Sequence, residues 1–404
     1  MDKLFPRIKS LKQIFLFNGT ATKSDSSNFY PQLRKRLQLR FYSRTSDSPL
    51  PHILLGFLYC TGFVDRHLIS KTKSAASVFF IISLHFTILD LLFTSVENHD
   101  DEFLKVSIAY ISSYGLTVAV WYSTWWKRKQ IGNLLLKIKR ISSPLSGKVI
   151  NYLALINFSM SLIIPVVLGM NNRKIQNSYF YTYGYDIDNF WAKTAIVSTR
   201  IFISFSIYPT YTSTLALFYV YVCLCCITYL KSLSKRMAEC PCKSFDLSFQ
   251  RDILKKKAKI FDLLLRIQDI FSLPAFFIIV ANIMICSSIA GWHMMKSWSD
   301  SDYLWKIESI YFGINAFLCT VSIICVAGSV PIELDRFKET FHQKSHQRLI
   351  FFCNWEELLL KLDLFNEPNL VLSGWQVISF RKSTILTLIG TLLTYTLFIM
   401  NINK

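Results

Sequence analysis

The amino-acid sequence predicts an all-α membrane protein with seven transmembrane helices, a cytoplasmic N-terminus and an extracellular C-terminus. Three features lead to this prediction: the composition, the long apolar segments, and the distribution of Lys and Arg. Of the 404 residues, 52% are hydrophobic and 18% are charged, and the mean hydropathy is +0.33. A soluble protein of this composition could not cover its surface with polar groups, so the bilayer is the expected solvent for much of that surface.

Seven apolar segments are long enough to cross a bilayer, which takes about 20 residues of helix. They span 74–96, 103–126, 149–170, 194–230, 273–292, 307–332 and 381–402. The fourth exceeds one crossing, so we expect it to extend beyond the bilayer or to begin in the outer loop. A shorter apolar run, 52–64, cannot span, and we predict an interfacial or re-entrant segment there. Counting that run as a span would reverse the topology.

Lys and Arg set the predicted orientation. Residues 1–73 hold 13 of the 45 cations, and the segments 127–148, 231–272 and 333–382 on the same side hold 24 more. The loops on the opposite side and the C-terminus together hold six. Because cytoplasmic loops are enriched in Lys and Arg, this asymmetry predicts a cytoplasmic N-terminus and argues against G-protein-coupled receptors. The net charge of +19 then reflects topology, and we predict no nucleic-acid partner.

Two segments on the cytoplasmic side have helical character. Apolar residues recur at helical spacing in 245–270, and 349–365 is apolar on one side. We expect both to be helical extensions of neighbouring spans that pack together into a cytosolic anchor.

Enzymatic and metal-binding motifs are absent from the sequence, so we predict no enzyme, cofactor or metal site. His342 and His346 are four residues apart, and a surface helix explains this spacing better than a metal pair. None of the ten cysteines lies in a predicted outer loop, which argues against a disulfide framework.

The last span carries a polar stripe. Thr387, Thr394 and Asn401 are seven residues apart, so they share one face of a helix. The residues beside this face are Gly390, Thr391, Leu397 and Phe398. A small, polar stripe faces protein or water rather than lipid. From spacing alone, it is either a helix-packing seam or the lining of a pore.

The same helix carries a family motif. Thr394-Tyr395, then five residues, then Asn401-Ile402 resembles the C-terminal signature of insect gustatory receptors, which is Thr-Tyr, five hydrophobic residues, Gln and Phe. Further matching stretches are Leu-Ser-Gly-Trp at 372–375, Phe380-Arg381, Ile389-Gly390, and Leu-Leu-Gly-Phe at 54–57 followed by Asp65-Arg66.

The resemblance implies a ligand-gated, non-selective cation channel in the plasma membrane of sensory neurons, assembled as a homotetramer or as a heteromer with related receptors. The last helices would line a central pore through Thr387, Thr391, Thr394, Leu397, Phe398 and Asn401, narrowest at the last three. It also implies four parts: an N-terminal region 1–73, a six-helix ligand-binding bundle 74–332, an anchor 333–380, and a pore helix 381–404.

The six-helix bundle would then hold the pocket for a small-molecule tastant. Candidates in the outer halves of the spans are Tyr110, Tyr114, Tyr208, Asn282, Trp292, Glu308, Tyr311 and Asn315. Aromatic walls with a few polar groups suit a small amphipathic ligand, although Tyr and Trp also serve as anchors at membrane interfaces. Asp90 and Arg200 lie within apolar spans and should be paired or hydrated, and the sequence does not say which.

The tastant class is predicted from one position. Sugar-sensing members of the family commonly have Glu after the Thr-Tyr pair, where this chain has Thr396, so we predict bitter or aversive compounds. The alternatives are an auxiliary subunit of a heteromeric taste receptor and a secondary transporter. The transporter would require inverted repeats, which the sequence does not contain.

Overall fold

The structure is a computed structural model, and it describes residues 51–63, 71–97, 101–140, 147–170, 182–183, 185, 187–295, 303–352 and 355–402. All of these lie in one structural unit, Pro49–Lys404. The predicted N-terminal region up to residue 50 and the Asp65-Arg66 pair fall outside the described residues.

Helices account for nearly all of the described chain. They are α1 (His52–Cys60), α2 (Lys71–Glu97), α3 (Asp101–Trp126), α4 (Arg128–Arg140), α5 (Gly147–Met170), α6 (Phe190–Phe205), α7 (Thr212–Glu239), α8 (Leu247–Met295), α9 (Tyr303–Phe351), α10 (Trp355–Asn366) and α11 (Lys382–Ile402). In the described residues, α2, α5, the α6–α7 pair, α8 and α9 are long and apolar enough to cross a membrane. The predicted second and seventh spans correspond to α3 and α11. These helices confirm the predicted all-α membrane fold.

The fourth span is interrupted at its centre. It runs from the start of α6 to the end of α7, and a π-helical turn, Ser206–Tyr211, joins the two helices. Tyr208 within this turn has an extended backbone (φ −133°, ψ 124°), and Pro209 has no N–H to donate to the helical ladder. The predicted segment 194–230 lies within this stretch, which runs from Phe190 to Glu239, and the helix is interrupted at Tyr208. The span is unusually long because it consists of two consecutive helices, α6 and α7.

The core surrounds α7, which is buried along most of its length. It packs against α8 and α9, and α3 packs along α8. The short helix α1 contacts α2, α5 and α7, with Leu54, Leu55 and Leu58 buried. Nine residues of helix are too few to span the hydrocarbon core, as predicted for this segment. Its inner face is covered by protein.

Two helices extend well past the bilayer thickness. At 49 residues each, α8 and α9 exceed the length needed for a single span by more than a factor of two. The predicted helical segment 245–270 is continuous with the fifth span in α8. The segment 349–365 differs from the prediction, because α9 ends at Phe351 and α10 begins at Trp355.

A small hairpin connects α10 to α11. Strands β1 (Ser373–Gly374) and β2 (Ile378–Ser379) are antiparallel, and Trp375 and Gln376 in the turn both have positive φ angles. The register leaves three residues between the paired positions Gly374 and Ile378, and the N–H of Val377 donates to the carbonyl oxygen of Gly374 at 2.9 Å. Two consecutive positive φ angles inside such a hydrogen-bonded turn are typical of type I′. The anchor segment 333–380, expected to be helical, therefore ends in a hairpin.

Candidate functional site

The interruption between α6 and α7 lies within a cluster of aromatic side chains, which we call the aromatic cluster. Its members are Tyr110, Tyr114, Phe205, Tyr208, Tyr311 and Phe312. The ring of Phe312 stacks on Tyr208 with centroids 5.7 Å apart, and the rings of Phe205 and Tyr311 stack at 5.3 Å. Tyr110 meets Phe312 edge-on at 5.8 Å. These spacings fall in the range of favourable aromatic pairs.

Hydrogen bonds tie the aromatic cluster to the interrupted backbone. The hydroxyl of Tyr114 lies 3.3 Å from each of the carbonyl oxygens of Ser204 and Tyr208, which share its single proton. An interrupted helix leaves carbonyl oxygens without their usual N–H donors, and a buried carbonyl needs a replacement. The hydroxyl of Tyr208 donates to Oδ1 of Asn282 at 3.0 Å, and Nδ2 of Asn282 donates to Thr320 at 3.1 Å.

A second polar chain lies beside the interruption. Ser213 donates to Oδ1 of Asn315, and Nδ2 of Asn315 donates to Oδ1 of Asn157 at 3.3 Å. The Nδ2 atom of Asn157 in turn donates to the carbonyl oxygen of Thr210 at 3.1 Å. This chain joins α9, α7 and α5 at the level of the π-helical turn.

The structure brings together six of the eight predicted ligand candidates. Those in or next to the aromatic cluster are Tyr110, Tyr114, Tyr208, Asn282, Tyr311 and Asn315. Glu308 precedes Tyr311 by one turn of α9 and is half-buried, and the side chain of Trp292 falls outside the described residues. Sequence reasoning missed Phe205 and Phe312, because it sought aromatic residues with a polar group. The adjacency of Phe312 to Tyr311 was the available signal. That these residues bind a ligand remains a prediction.

Asp90 and Arg200, left open by the sequence, pair with each other. Nε of Arg200 lies 2.8 Å from Oδ2 of Asp90, and the two side chains are only 9% and 4% exposed. The hydroxyl of Tyr183 donates to Oδ1 of Asp90, and its ring lies 4.4 Å from the Arg200 guanidinium. Tyr183 belongs to the loop before α6, and nothing in the sequence predicted that it lies next to this ion pair.

This ion pair lines a cavity of about 340 Å³ between α2 and α6. The apolar part of its wall includes Phe86, Ile196 and Ile203. None of the seven predicted ligand candidates whose side chains the structure describes lines it. Its wall does include Ser204, whose carbonyl accepts the hydrogen bond from Tyr114, so the cavity and the aromatic cluster share a piece of backbone.

The polar stripe of α11 is exposed. Thr387, Thr391, Thr394 and Leu397 all have high solvent exposure, and the hydroxyls of Thr391 and Thr394 donate to carbonyls one turn earlier at 2.9 Å. The opposite face of the helix, with Ile385 and Leu392, is half-buried. The stripe therefore points away from the rest of the chain. The side chains of Tyr395, Phe398 and Asn401 fall outside the described residues.

The start of α11 is held firmly. A Cβ atom added to Gly328 of α9 would lie only 3.1 Å from the backbone nitrogen of Lys382 and 3.2 Å from the carbonyl oxygen of Phe380, so a side chain here would push the two segments apart by a few tenths of an ångström. The hairpin is bound to α8, where Gln268 donates to the carbonyl oxygen of Ser373 at 3.0 Å.

The solved structures with a similar fold include two of one receptor. The insect olfactory receptor OR5 from Machilis hrabei matches with a TM-score of 0.63, 12% sequence identity, and coverage of 92% of this chain and 99% of that chain. The same receptor in complex with eugenol matches with a TM-score of 0.65 at the same identity and coverage. The chain therefore has the fold of this receptor. No protein-family model matches the sequence. No curated protein matches it either.

Proposed function

We propose that this chain is a subunit of a ligand-gated, non-selective cation channel of the insect chemoreceptor kind, and that it is a gustatory receptor for bitter or aversive compounds. The observation that carries the proposal is the direction of the α11 stripe. A stripe of small and polar residues that points away from its own bundle favours protein or water on that side over lipid. A pore formed by several copies of α11 supplies both. The narrow part of this pore would lie near Leu397, Phe398 and Asn401.

Several copies of the chain are also favoured by apolar surface at the far end of α9. Phe351, Trp355 and Phe365 are each at least about two-thirds exposed. The same end carries ion pairs between exposed charges, such as Arg251 with Glu356. Exposed ion pairs indicate water, so lipid would not cover these aromatic side chains. We propose that they pack against other subunits in a tetramer, with this end and the N-terminus in the cytoplasm of a sensory neuron.

The aromatic cluster is the proposed tastant site. Its apolar rings and few hydrogen-bonding groups suit a small amphipathic molecule, and the similar receptor OR5 has been solved with eugenol. A ligand opens the channel only if it binds the open state more tightly than the closed state. Asn282 connects the cluster to α8, and α8 holds the hairpin through Gln268. This chain of contacts gives a physical route from the ligand to the start of α11.

Calcium imaging of cells that express the chain tests the proposal, with a panel of plant alkaloids as stimuli. We expect at least one alkaloid to raise cytosolic calcium in cells that display the protein at their surface. Surface display without a response to any alkaloid, but with responses when a related receptor is co-expressed, would favour an auxiliary subunit. Substrate uptake without current would contradict the channel and favour a transporter.

Cysteine substitution tests the pore separately. A charged methanethiosulfonate reagent should block most of the ligand-evoked current of Thr391→Cys, because residue 391 lies on the exposed stripe. The adjacent Leu392→Cys, on the half-buried face, should keep its current under the same treatment. Equal sensitivity of the two variants would contradict a pore lined by the stripe.

A further inference from the structure

We propose that the cavity between α2 and α6 is a binding site for a small, neutral, amphipathic molecule with one hydroxyl group, such as an aromatic alcohol or phenol, which enters from the bilayer. This site is distinct from the aromatic cluster proposed for the tastant, and the inference does not depend on the channel function.

The walls of the cavity determine the apolar part of the ligand. Phe86 on α2 and both Ile196 and Ile203 on α6 line the cavity, and Ala195 adds a small side chain to the wall. A volume of about 340 Å³ is at the small end of the range for ligand cavities, which suits a single ring with short substituents. A larger ligand, such as a sterol, would extend out of this space.

The position of the cavity determines the route of entry. Phe86, Ala195 and Ile196 are exposed at the surface of the chain. On α2, the exposed residues Phe79, Ile82 and Leu89 continue the same apolar surface. Such a surface on a membrane-spanning helix contacts lipid, so a molecule dissolved in the bilayer reaches the cavity without crossing water.

The polar end of the cavity determines the functional group. Asp90 and Arg200 form a nearly fully buried ion pair, so their charges cancel and a charged ligand would lose its hydration without compensation. A carboxylate has about four lone-pair positions, and among the described residues one oxygen of Asp90 accepts a hydrogen bond from Tyr183 and the other accepts one from Arg200. A ligand hydroxyl can donate a hydrogen bond to this carboxylate, which a hydrocarbon cannot do.

Photolabelling of the full chain in lipid nanodiscs tests the site. The probe is 4-(trifluoromethyl-diazirinyl)benzyl alcohol, a neutral aromatic alcohol, and labelled peptides are mapped by mass spectrometry. We expect the probe to label residues 86–90 and 195–204, and excess eugenol to reduce this labelling by competition. The same diazirine with a methyl group in place of the alcohol should label these residues several-fold less.

Matched variants localise the label. Ala195→Trp should fill the cavity and reduce labelling several-fold, whereas Ala192→Trp, one turn earlier and also exposed, should not. Thr199→Phe is a second cavity-filling variant at an exposed position, and size-exclusion chromatography checks that each variant is folded. Unchanged labelling of a folded cavity-filling variant would overturn the proposal.

Three other outcomes would also overturn it. If eugenol does not reduce the labelling, the probe only partitions into the lipid. Labelling confined to the aromatic cluster would mean that the α2–α6 cavity is not used. Equal labelling by the alcohol and its methyl counterpart would show that the ion pair does not bind the hydroxyl group. Because the assay measures binding and not current, its failure is separate from a failure of the channel proposal.

Discussion

Helices α7 and α11 are both apolar enough for a membrane, yet α7 is mostly buried within the chain and α11 is mostly exposed. The 28 residues of α7 are mostly buried among other helices of the same chain, and they include the buried cysteines Cys223, Cys225 and Cys226. Most described residues of the 21-residue α11 are exposed, its threonines among them. The difference teaches that apolarity alone does not identify the partner of a helix. The bundle around α7 is complete within one chain, and α11 still needs other molecules to cover it.

The comparison predicts where substitutions affect the folded chain. In the bundle, a lost contact lowers the free energy of unfolding of the single chain. On α11, the same loss should leave that free energy unchanged and alter assembly or current. Four substitutions, from the largest expected effect to the smallest, test this distinction.

Phe312→Ala should cause the largest loss in the free energy of unfolding. Phe312 is fully buried and contacts Tyr110, Phe205 and Tyr208, so its removal leaves a cavity in the aromatic cluster. We expect a loss of about 3–5 kcal/mol in the free energy of unfolding, measured by denaturant titration of the purified chain in detergent. The control is Phe317→Ala on the same helix, where Phe317 is 51% exposed. Similar losses for the two variants would mean that the cluster is not tightly packed.

Arg348→Met should cost about 3 kcal/mol in the same assay, because it leaves the buried carboxylate of Glu357 without its partner. Nε of Arg348 lies 2.9 and 3.0 Å from the two carboxylate oxygens of Glu357. Arg251→Met, which removes an exposed ion pair with Glu356, should change the free energy of unfolding by less than about 1 kcal/mol.

A double variant sharpens this second test. Combining Arg348→Met with Glu357→Leu removes both charges, so most of the lost stability should return. If the double variant is as unstable as Arg348→Met, the contribution of Arg348 comes from its other contacts, the carbonyl oxygens of Cys242 and Lys243.

Tyr208→Phe should cost about 1–2 kcal/mol, since it deletes a buried hydrogen bond and leaves Oδ1 of Asn282 without that donor. Tyr122→Phe is the matched control, because Tyr122 makes a hydrogen bond of the same 3.0 Å length to His85 at an exposed position. The control should lose less stability. A larger loss at Tyr122 would show that the polar groups around the interruption are hydrated.

Leu386→Ala should have the smallest effect on the single chain, within about 0.5 kcal/mol, because Leu386 is 75% exposed. The measurement is again the free energy of unfolding in detergent, at a concentration where size-exclusion chromatography shows monomers. A loss of 2 kcal/mol or more would contradict the exposed position of α11 and would remove the contrast with α7.

The positions of individual residues divide into those that the sequence predicted and those that it could not. The long apolar segments predicted α2, α3, α5, α8, α9 and α11, because hydropathy is a sum over neighbouring residues. Six of the eight ligand candidates meet at one place, because a predicted topology in which successive spans alternate in direction assigns each residue a depth. The same reasoning could not find Phe205 and Phe312, since depth does not say which side chains touch.

The hairpin and the interruption at Tyr208 show another limit. The hairpin turn uses positive φ angles at Trp375 and Gln376, and neither residue type favours this conformation. Contacts with α8 hold it, among them the ring of Trp375 against Phe276 at 5.5 Å. Pro209 is visible in the sequence, but a proline inside an apolar run predicts neither an extended Tyr208 nor the Tyr114 hydroxyl that bonds the freed carbonyls.

By itself, the sequence determined that the chain is helical, that it belongs in a membrane, and that its last span has one polar face. These properties depend on residues close together along the chain, so composition and period are enough to derive them. Only the tertiary structure decided that Asp90 pairs with Arg200, that Tyr183 covers them, and that the stripe of α11 points away from the bundle. Asp90 and Arg200 are 110 positions apart, and neither hydropathy nor residue spacing predicts which distant side chains come into contact.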